Sequence, residues 1–453
     1  MSTVSDVPIV LAPEEIPVAV TGKPEWFASA RGGILAILDQ AAVSGTNFLT
    51  VVLVGRACGQ EELGYYSLGV TILVLLVSVQ ESLVTAPYTV FRERLRGWRR
   101  NEYAGRVLVQ QSVLALLAAV GLAAIVGLSG VVHRDMTLIV AAVVPLVLLR
   151  DFCRRLGFAH GRIGGVLVLD IAIAATQLGV LAWLASWGWL TASLAFATVG
   201  LVCGIAASVY LVLTRAEFSL RRRRVGREIG RHWEFGRWVA AGQMIGVAHG
   251  YAVHWMLAVM IGPSATGAFA ACLAVVLLSN PFYLAVGNLL GPWTARARAE
   301  GGRMAVRRVV GRAALSLAAV MGAFCCAVAV VGGSAMRLLY GDGYAGHEFT
   351  LTALAAAFAL NAAGMAADHG LRSLGRPRVA FTGSLIGFAV TIAVGAMLVP
   401  SRRSGPARTR LRRQRTKAGR LPRIVPRARR RESRHDRGST SRRGLRSSPS
   451  SGW

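Results

Sequence analysis

Long apolar runs alternate with short polar segments along the first 400 residues of the 453-residue chain. A transmembrane helix needs about 20 predominantly apolar residues, so each run is a candidate membrane span. The fourth and tenth runs are short, and we expect their helices to extend into the flanking sequence. The pattern predicts an all-α, polytopic membrane protein. The eleven predicted spans are 33–54, 63–86, 107–128, 136–150, 163–186, 190–213, 238–261, 265–290, 309–332, 349–366 and 378–400.

The composition excludes a stack of soluble domains. Hydrophobic residues make up 54% of the chain and charged residues only 16%, with a mean hydropathy of +0.51. Soluble domains carry roughly 25% charged residues, so eleven apolar runs leave too little polar surface to solvate a globular fold. The six cysteines show no paired spacing, and we therefore predict no disulfide framework, no metal site and no cofactor.

The distribution of arginine predicts the orientation of the spans, because cytoplasmic loops retain positive charge. The loops after the even-numbered spans each carry between three and eight arginines. The loops after the odd-numbered spans carry only Arg56, Arg134 and Arg337. We therefore expect a cytoplasmic N-terminus and short external loops.

Short matches recur in the same order in the two halves of the chain. Leu63-Gly64 and Thr266-Gly267 open the second and eighth spans, and Pro87 and Pro292 close them. The offset covers six spans, an even number, so the two halves have the same orientation. That describes a parallel repeat about an axis along the membrane normal, an arrangement found in transporters.

The repeat divides the chain into an N-lobe with six spans and a C-lobe with five. A sixth C-lobe span is due near 408–431, but 401–453 is rich in Arg, Ser and Pro and holds 19 of the 51 basic residues. Such a tail can bind anionic lipid or nucleic acid. We favour an out-of-frame translation, in which the twelfth span is lost and the tail forms no packed structure. The predicted segments are 1–32 cytoplasmic, 33–213 N-lobe, 214–237 basic linker, 238–400 C-lobe and 401–453 tail.

Several stretches resemble the polysaccharide-exporting branch of the multidrug/oligosaccharidyl-lipid/polysaccharide exporter superfamily. They are degenerate motifs that follow one another in the expected order over 33–400. The stretches are Leu38–Leu49, Gly64-Tyr65-Tyr66, Ala86–Val90, Leu149–Arg155, Asn280-Pro281, Asn288 and Pro292.

The resemblance implies a flippase that carries a lipid-linked oligosaccharide across the bacterial inner membrane by alternating access, as a monomer. Its partners would be membrane lipid, the lipid-linked glycan and a coupling H+ or Na+, with no nucleic acid. A cation-coupled multidrug exporter of the same superfamily and an inactive truncated copy are the alternatives. A membrane glycosyltransferase or polymerase is disfavoured because external loops are short and no Asp-X-Asp occurs. We therefore expect no enzymatic activity.

Ionisable residues inside spans are costly and usually face a wet cavity or a partner, so they are the first site candidates. Asp39 suits a coupling cation, or else a hydrated position near a helix N-terminus. Asp170 is a further candidate for the cavity or for coupling, and snorkelling or pairing with loop arginines is the alternative for both Asp170 and Glu81. His249 and His254 can titrate near neutral pH. The glycines beside them, Gly242, Gly246 and Gly250, have the spacing that lets two helices approach closely.

Uncharged polar residues complete the predicted cavity, which we place among spans one, two, seven and eight. The polar candidates, which can bond sugar hydroxyls or each other, are Gln40, Asn47, Gln177, Asn280, Asn288 and Asn361. No arginine lies at the centre of a span, so an anionic diphosphate would meet arginines at the cytoplasmic mouth. The candidates are Arg92, Arg94, Arg150, Arg154, Arg155, Arg296 and Arg298, several of which also serve as topological anchors.

Overall fold

The computed structural model describes residues 30–129, 134–219, 225–374 and 377–398, which form helices and no strand. Most of the predicted segment 1–32 and all of the tail 401–453 lie outside these residues, as does the region due for a twelfth span. The helices are α1 Ala30–Gln80, α2 Ala86–Arg92, α3 Trp98–Ser129, α4 Arg134–Ala159, α5 Ile163–Ser186, α6 Ala192–Leu213, α7 Val225–Met260, α8 Pro263–Val276, α9 Asn280–Tyr340, α10 Glu348–Ser373 and α11 Pro377–Leu398.

Two of these helices each contain parts of two predicted spans. α1 turns at Gly59, and α9 turns at Gly301 and Gly302. Within the described chain, seven helical stretches are long and apolar enough to cross a membrane. α4 and α10 extend well beyond the short runs that predicted them. The prediction of an all-α, multi-pass membrane protein is confirmed.

The repeat is visible in the backbone as well as in the sequence. Gly59 and Gly262, which follow the first and seventh predicted spans, have φ angles of 84° and 128° and lie 203 residues apart. Gly97 and Gly302, which follow the second and eighth spans, have φ angles of 56° and 59° and lie 205 residues apart. Only glycine adopts such angles readily, so the sharp turns recur at corresponding places in the two lobes.

The two lobes meet at the end where α1 turns, which we call the kinked end. A Cβ atom on Gly64 would lie 1.9 Å from the carbonyl oxygen of Pro263, and one on Gly267 would lie 1.8 Å from that of Gln60. The two contacts are related by the repeat, since Gln60 and Pro263 each precede the glycine of their own lobe by four residues. Backbone therefore packs directly on backbone here.

Side chains reinforce this contact. The Tyr344 hydroxyl donates to the carbonyl oxygen of Gly55 at 3.3 Å, and Gln60 Nε2 donates to that of Gly343 at 2.7 Å. Buried Val54, Leu63 and other residues of α1 share one apolar cluster with residues of α8, α9 and α10. The helix α1 is thus joined to the C-lobe at the kinked end.

At the opposite, arginine-rich end, the start of α7 packs on the N-lobe. Tyr103 Oη and His232 Nε2 lie 2.7 Å apart, and Arg106 Nη2 lies 3.7 Å from Glu228 Oε1. A Cβ atom on Gly236 would lie 2.3 Å from the carbonyl oxygen of Ser82, which belongs to the π-helical turn Glu81–Thr85. α7 therefore links the two lobes.

The lobes differ on the face that α6 covers in the N-lobe. There α6 packs closely on α4, because glycine at Gly204 leaves room for Leu146. At the repeat offset of 218, Leu146 corresponds to Gly364 of α10. A Cβ atom added to Gly364 would have no described atom within 4 Å. The adjacent Leu360 is 77% exposed. Among described residues, this face of α10 is uncovered.

Candidate functional site

Four charged side chains meet inside the N-lobe where α1, α4 and α5 pack together. Arg154 Nε lies 2.9 Å from Asp170 Oδ2, and its Nη2 also donates to Asp39 Oδ2. Arg150 Nη2 lies 2.5 Å from Asp170 Oδ1. The side chains of Asp39 and Asp170 are each 1% exposed. One guanidinium group thus holds the carboxylates of two different helices.

A second group lies beside the first, at the π-helical turn after α1. Arg155 Nη1 lies 3.0 Å from Glu81 Oε1, and its Nε lies 3.8 Å from Asp151 Oδ2. The amide of Gln80 donates to Asp151 at 3.1 Å, and the amide of Gln111 donates to Gln80 at 2.7 Å. Both glutamines are fully buried. π-Helical turns are rare and occur frequently at functional sites, which fits this position.

Helical spacing on α4 brings the two groups together. Arg150 and Arg154 are four residues apart, as are Asp151 and Arg155, so each pair occupies one stripe of the helix surface. We call the combined set the N-lobe charge cluster. Its members are the acids Asp39, Glu81, Asp151 and Asp170 and the bases Arg150, Arg154 and Arg155.

The charge cluster is not electrically balanced. It contains four carboxyl groups and three guanidinium groups, so it carries one excess negative charge when every group is ionised. Asp39 Oδ1 is buried and has no hydrogen-bond partner among the described atoms. A buried excess charge is costly unless a proton or cation compensates it. Asp39 is therefore not the hydrated residue near a helix N-terminus that one interpretation of the sequence expected.

The two histidine candidates lie in the C-lobe. His249 is half-buried, with its ring 5.8 Å from that of Phe388 and its Nε2 3.5 Å from Thr391 Oγ1 of α11. His254 is buried, with its ring 4.9 Å from that of Phe269 in α8. The described contacts do not bring either histidine to the charge cluster.

The glycines near His249 do not make the close helix contact that their spacing predicts. No described atom lies within 4 Å of a Cβ built on Gly242, Gly246 or Gly250. The prediction is wrong for the described part of the chain, since no described helix approaches α7 closely at these three positions.

The uncharged polar candidates are dispersed. Gln40 donates to Ser44 within α1 at 3.2 Å, Asn47 is exposed, and Asn280 is half-buried at the start of α9. The Asn288 side chain lies outside the described residues. In addition, Gln177 of α5 donates to Thr50 of α1 at 2.8 Å. Some of these groups bond neighbouring helices, and others stay on open surfaces.

The arginine candidates fall into two classes. Arg150, Arg154 and Arg155 belong to the charge cluster. Arg92 lines a separate cavity at the arginine-rich end, whereas Arg94, Arg296 and Arg298 are exposed, and Arg296 pairs with Glu300 at 2.7 Å. The seven candidates therefore do not form one headgroup site.

Sequence reasoning missed two histidines at the arginine-rich end. His160 bridges Tyr88 Oη at 2.9 Å and Glu217 Oε2 at 2.5 Å, and His232 contacts Tyr103. Burial, and then the neighbouring Arg231, lower the pKa of His232 to about 4. Both histidines lie outside the predicted spans, and no spacing rule connects either of them to its tyrosine.

The thiol and acidic groups show no metal site in the part of the chain that is described. No group of three His, Cys, Asp or Glu side chains there could hold a metal ion. The six cysteines are free. The polar chemistry of the described fold is concentrated in the charge cluster and in the tyrosine–histidine contacts.

Comparison with known proteins identifies the fold. No family model matches the sequence, and no curated protein matches it. The inward-facing conformation of a multidrug resistance MATE family transporter of the MOP superfamily is 13% identical, with a TM-score of 0.58 over 78% of this chain and 85% of that one. An outward-facing conformation of such a transporter is 12% identical, with a TM-score of 0.53 over 82% and 88%.

The MATE multidrug transporter DinF-BH, solved in complex with a ligand, is also similar. It is 16% identical, with a TM-score of 0.54 over 80% of this chain and 85% of that one. Identities this low show the fold alone. The chain has the two-lobed helical fold of these membrane transporters.

Proposed function

We propose that the chain is a proton-coupled exporter that works by alternating access, with small organic molecules as its cargo. The observation that carries this proposal is the N-lobe charge cluster, with its excess carboxyl group and the unpartnered Asp39 Oδ1. The similar solved structures include multidrug transporters, one of them with a ligand bound, which supports this class of cargo.

The cluster suggests how a proton could act on the fold. In the structure, Arg154 joins Asp39 of α1 to Asp170 of α5. A proton on Asp39 would neutralise the excess charge and weaken its bond to Arg154, while Asp170 would keep Arg150 as its partner. α1 would then be freer to move against α4 and α5. Because α1 also packs on the C-lobe at the kinked end, its movement would bias the two lobes toward a different arrangement.

We place the cargo path between the lobes, near the polar residues that remain accessible there. Asn47 is exposed, and His249 and Asn280 are half-buried. These residues are separate from the charge cluster, so the proton and the cargo would bind at different places. In this proposal the arginine-rich end faces the cytoplasm, in keeping with the positive-inside rule.

Dye export from proteoliposomes tests the proposal. The purified chain is reconstituted, an imposed pH gradient drives the export, and a rhodamine-type dye reports on it. Asp39→Asn should abolish the dependence on the gradient. Glu300→Gln is the matched control, because that carboxylate is 63% exposed and lies outside the cluster. Full gradient dependence in the Asp39→Asn variant would contradict the proposal.

A lipid-linked oligosaccharide flippase is the second candidate. It is favoured by the segment Leu149–Arg155, which carries part of the sequence resemblance and supplies all three guanidinium groups of the charge cluster. A lipid diphosphate could compete with Asp39 and Asp170 for Arg154, since a guanidinium fork binds phosphate and carboxylate oxygens alike. Translocation of a fluorescent lipid-linked oligosaccharide in the same vesicles, without dye export, would favour this candidate over the first.

A further inference from the structure

A polar cavity of about 210 Å³ lies at the arginine-rich end of the N-lobe, apart from the charge cluster. Its walls come from the end of α2, the start of α3, the turn between α4 and α5, and the 3-10 turn Arg215–Glu217. The polar lining consists of Arg92, Arg100, Asn101, His160, Arg162 and Glu217.

The lining is strongly cationic. Three guanidinium groups face one carboxylate, Glu217, which binds both Arg162 and His160. Burial, and then the charge of Arg92, lower the pKa of His160. The nearby Glu93, which pairs with Arg92 at 3.1 Å and with Arg100 at 3.7 Å, is 67% exposed and lies outside the lining, so three guanidinium groups still outnumber the two carboxylates around them. The cavity thus keeps an excess of positive charge.

The arginines are held in place by the backbone. Arg92 Nη1 donates to the carbonyl oxygen of Ala159 at 3.0 Å, and Arg100 Nε donates to that of Leu95 at 2.6 Å. Arg92 is 13% exposed, and its Nε is buried without a partner among the described atoms. Each guanidinium has five N–H donors, so several donors stay available after these bonds.

The same cavity touches the linker that leads to the C-lobe. Asn101 Nδ2 donates to the carbonyl oxygen of Ala216 at 3.2 Å, and the backbone N–H of Ser219 donates to that of Asn101 at 3.0 Å. Glu217 of this linker lines the cavity and bonds the His160 side chain. A ligand in the cavity would therefore contact the α2–α3 region, the turn between α4 and α5, and the linker at once.

We propose that this cavity binds a phosphate group, carried either by a lipid headgroup or by a soluble anion, and that the bound phosphate fixes the linker to the N-lobe. Fixed arginine forks match phosphate oxygens and bind them through charge-assisted hydrogen bonds. The proposal does not depend on which cargo the chain transports.

Binding to the purified full chain tests this proposal with two probes. In neutral detergent, inorganic pyrophosphate is titrated by calorimetry. In vesicles of phosphatidylcholine with or without phosphatidylglycerol, protection of the linker from protease is measured. Arg92→Gln and Arg100→Gln should each weaken binding about tenfold, which is the loss expected for one charge-assisted bond. Arg96→Gln is the matched control, because this exposed arginine lies in the same turn but outside the cavity.

The outcomes separate the two sources of phosphate. Saturable pyrophosphate binding that Arg92→Gln weakens, and Arg96→Gln does not, would support a soluble anion. Linker protection that requires phosphatidylglycerol and shows the same variant pattern would support a lipid headgroup. Equal losses for Arg92→Gln and Arg96→Gln, or no response in either probe, would overturn the proposal. Arg92→Lys keeps the charge but not the planar fork, so it distinguishes loss of a phosphate contact from misfolding. Its affinity for the probe should lie between that of the unmodified chain and that of Arg92→Gln.

Discussion

Replacing Arg154 by glutamine should destabilise the N-lobe more than any exposed charge substitution. Arg154 is 14% exposed and bonds two carboxylates whose side chains are each 1% exposed. Removing it leaves Asp39 without its described ion pair, while Asp170 keeps Arg150. Loss of one partner from a buried pair costs about 3–5 kcal/mol, because the other charge stays buried and unpaired. We therefore expect Arg154→Gln to lower the free energy of unfolding by about 3–5 kcal/mol.

A second substitution tests whether this loss arises from Asp39. In the variant Arg154→Gln with Asp39→Asn, the unpaired carboxylate is replaced by an amide of similar shape. Much of the lost stability should then return, so the two substitutions should be clearly non-additive. The measurement is equilibrium unfolding in mixed micelles, with tryptophan fluorescence as the signal.

The pair Arg296–Glu300 provides the control, since its side chains are 79% and 63% exposed. Arg296→Gln should cost less than about 1 kcal/mol, as exposed ion pairs do. If Arg154→Gln costs no more than this control, the charge cluster does not stabilise the lobe as described. If the double variant is as unstable as Arg154→Gln alone, the loss does not come from an unpaired Asp39.

Two further predictions concern the contacts between the lobes. Gly267→Ala places a Cβ atom 1.8 Å from the carbonyl oxygen of Gln60, so it should force the kinked end apart. In a variant that keeps Cys58 as its single cysteine, an impermeant maleimide should then label Cys58 faster. Gly242→Ala is the control and should leave the labelling rate unchanged, because no described atom lies within 4 Å of its Cβ. At the arginine-rich end, burial lowers the pKa of His232 from 6.5 to about 4, so the folded state binds fewer protons than the unfolded state between these values. The contribution of His232 to the free energy of unfolding should be complete above pH 6.5 and lost as the pH falls toward 4. His232→Gln should flatten the plot of unfolding free energy against pH in that range. An unchanged plot would show that His232 does not titrate as described.

The sequence predicted the helices well because an apolar run of membrane length rarely forms anything but a transmembrane helix. It placed the end of the fourth span at Arg150, the first arginine after the run, but α4 continues to Ala159. The charges on that extension are paired with Asp39, Glu81 and Asp170, so they are tolerated inside the helical bundle. A hydropathy pattern cannot distinguish a paired charge from a solvated one, so it predicts that this helix extends past its short run but not how far it extends.

The partners within the charge cluster could not be predicted from spacing. Asp39 and Arg154 are 115 residues apart, and their contact depends on how α1 packs against α4. Asp39 could be chosen as a candidate because a carboxylate in an apolar run is unusual. Arg154 was grouped with other arginines as a possible headgroup ligand or topological anchor, since its neighbours along the chain are also arginines. Only the packing shows that it is a structural partner of two acids.

The contact between Gly64 and Gly267 has a consequence for how this fold tolerates sequence change. The two lobes touch there through main-chain atoms, so the closing distance is set by the missing side chains and not by any particular chemical group. The distance at which the halves stop therefore depends first on both positions staying minimal in size. Such a contact leaves little more in the sequence than a glycine at the same place in each half, and any tilt of the halves about it must also break the bonds that Tyr344 and Gln60 make beside it.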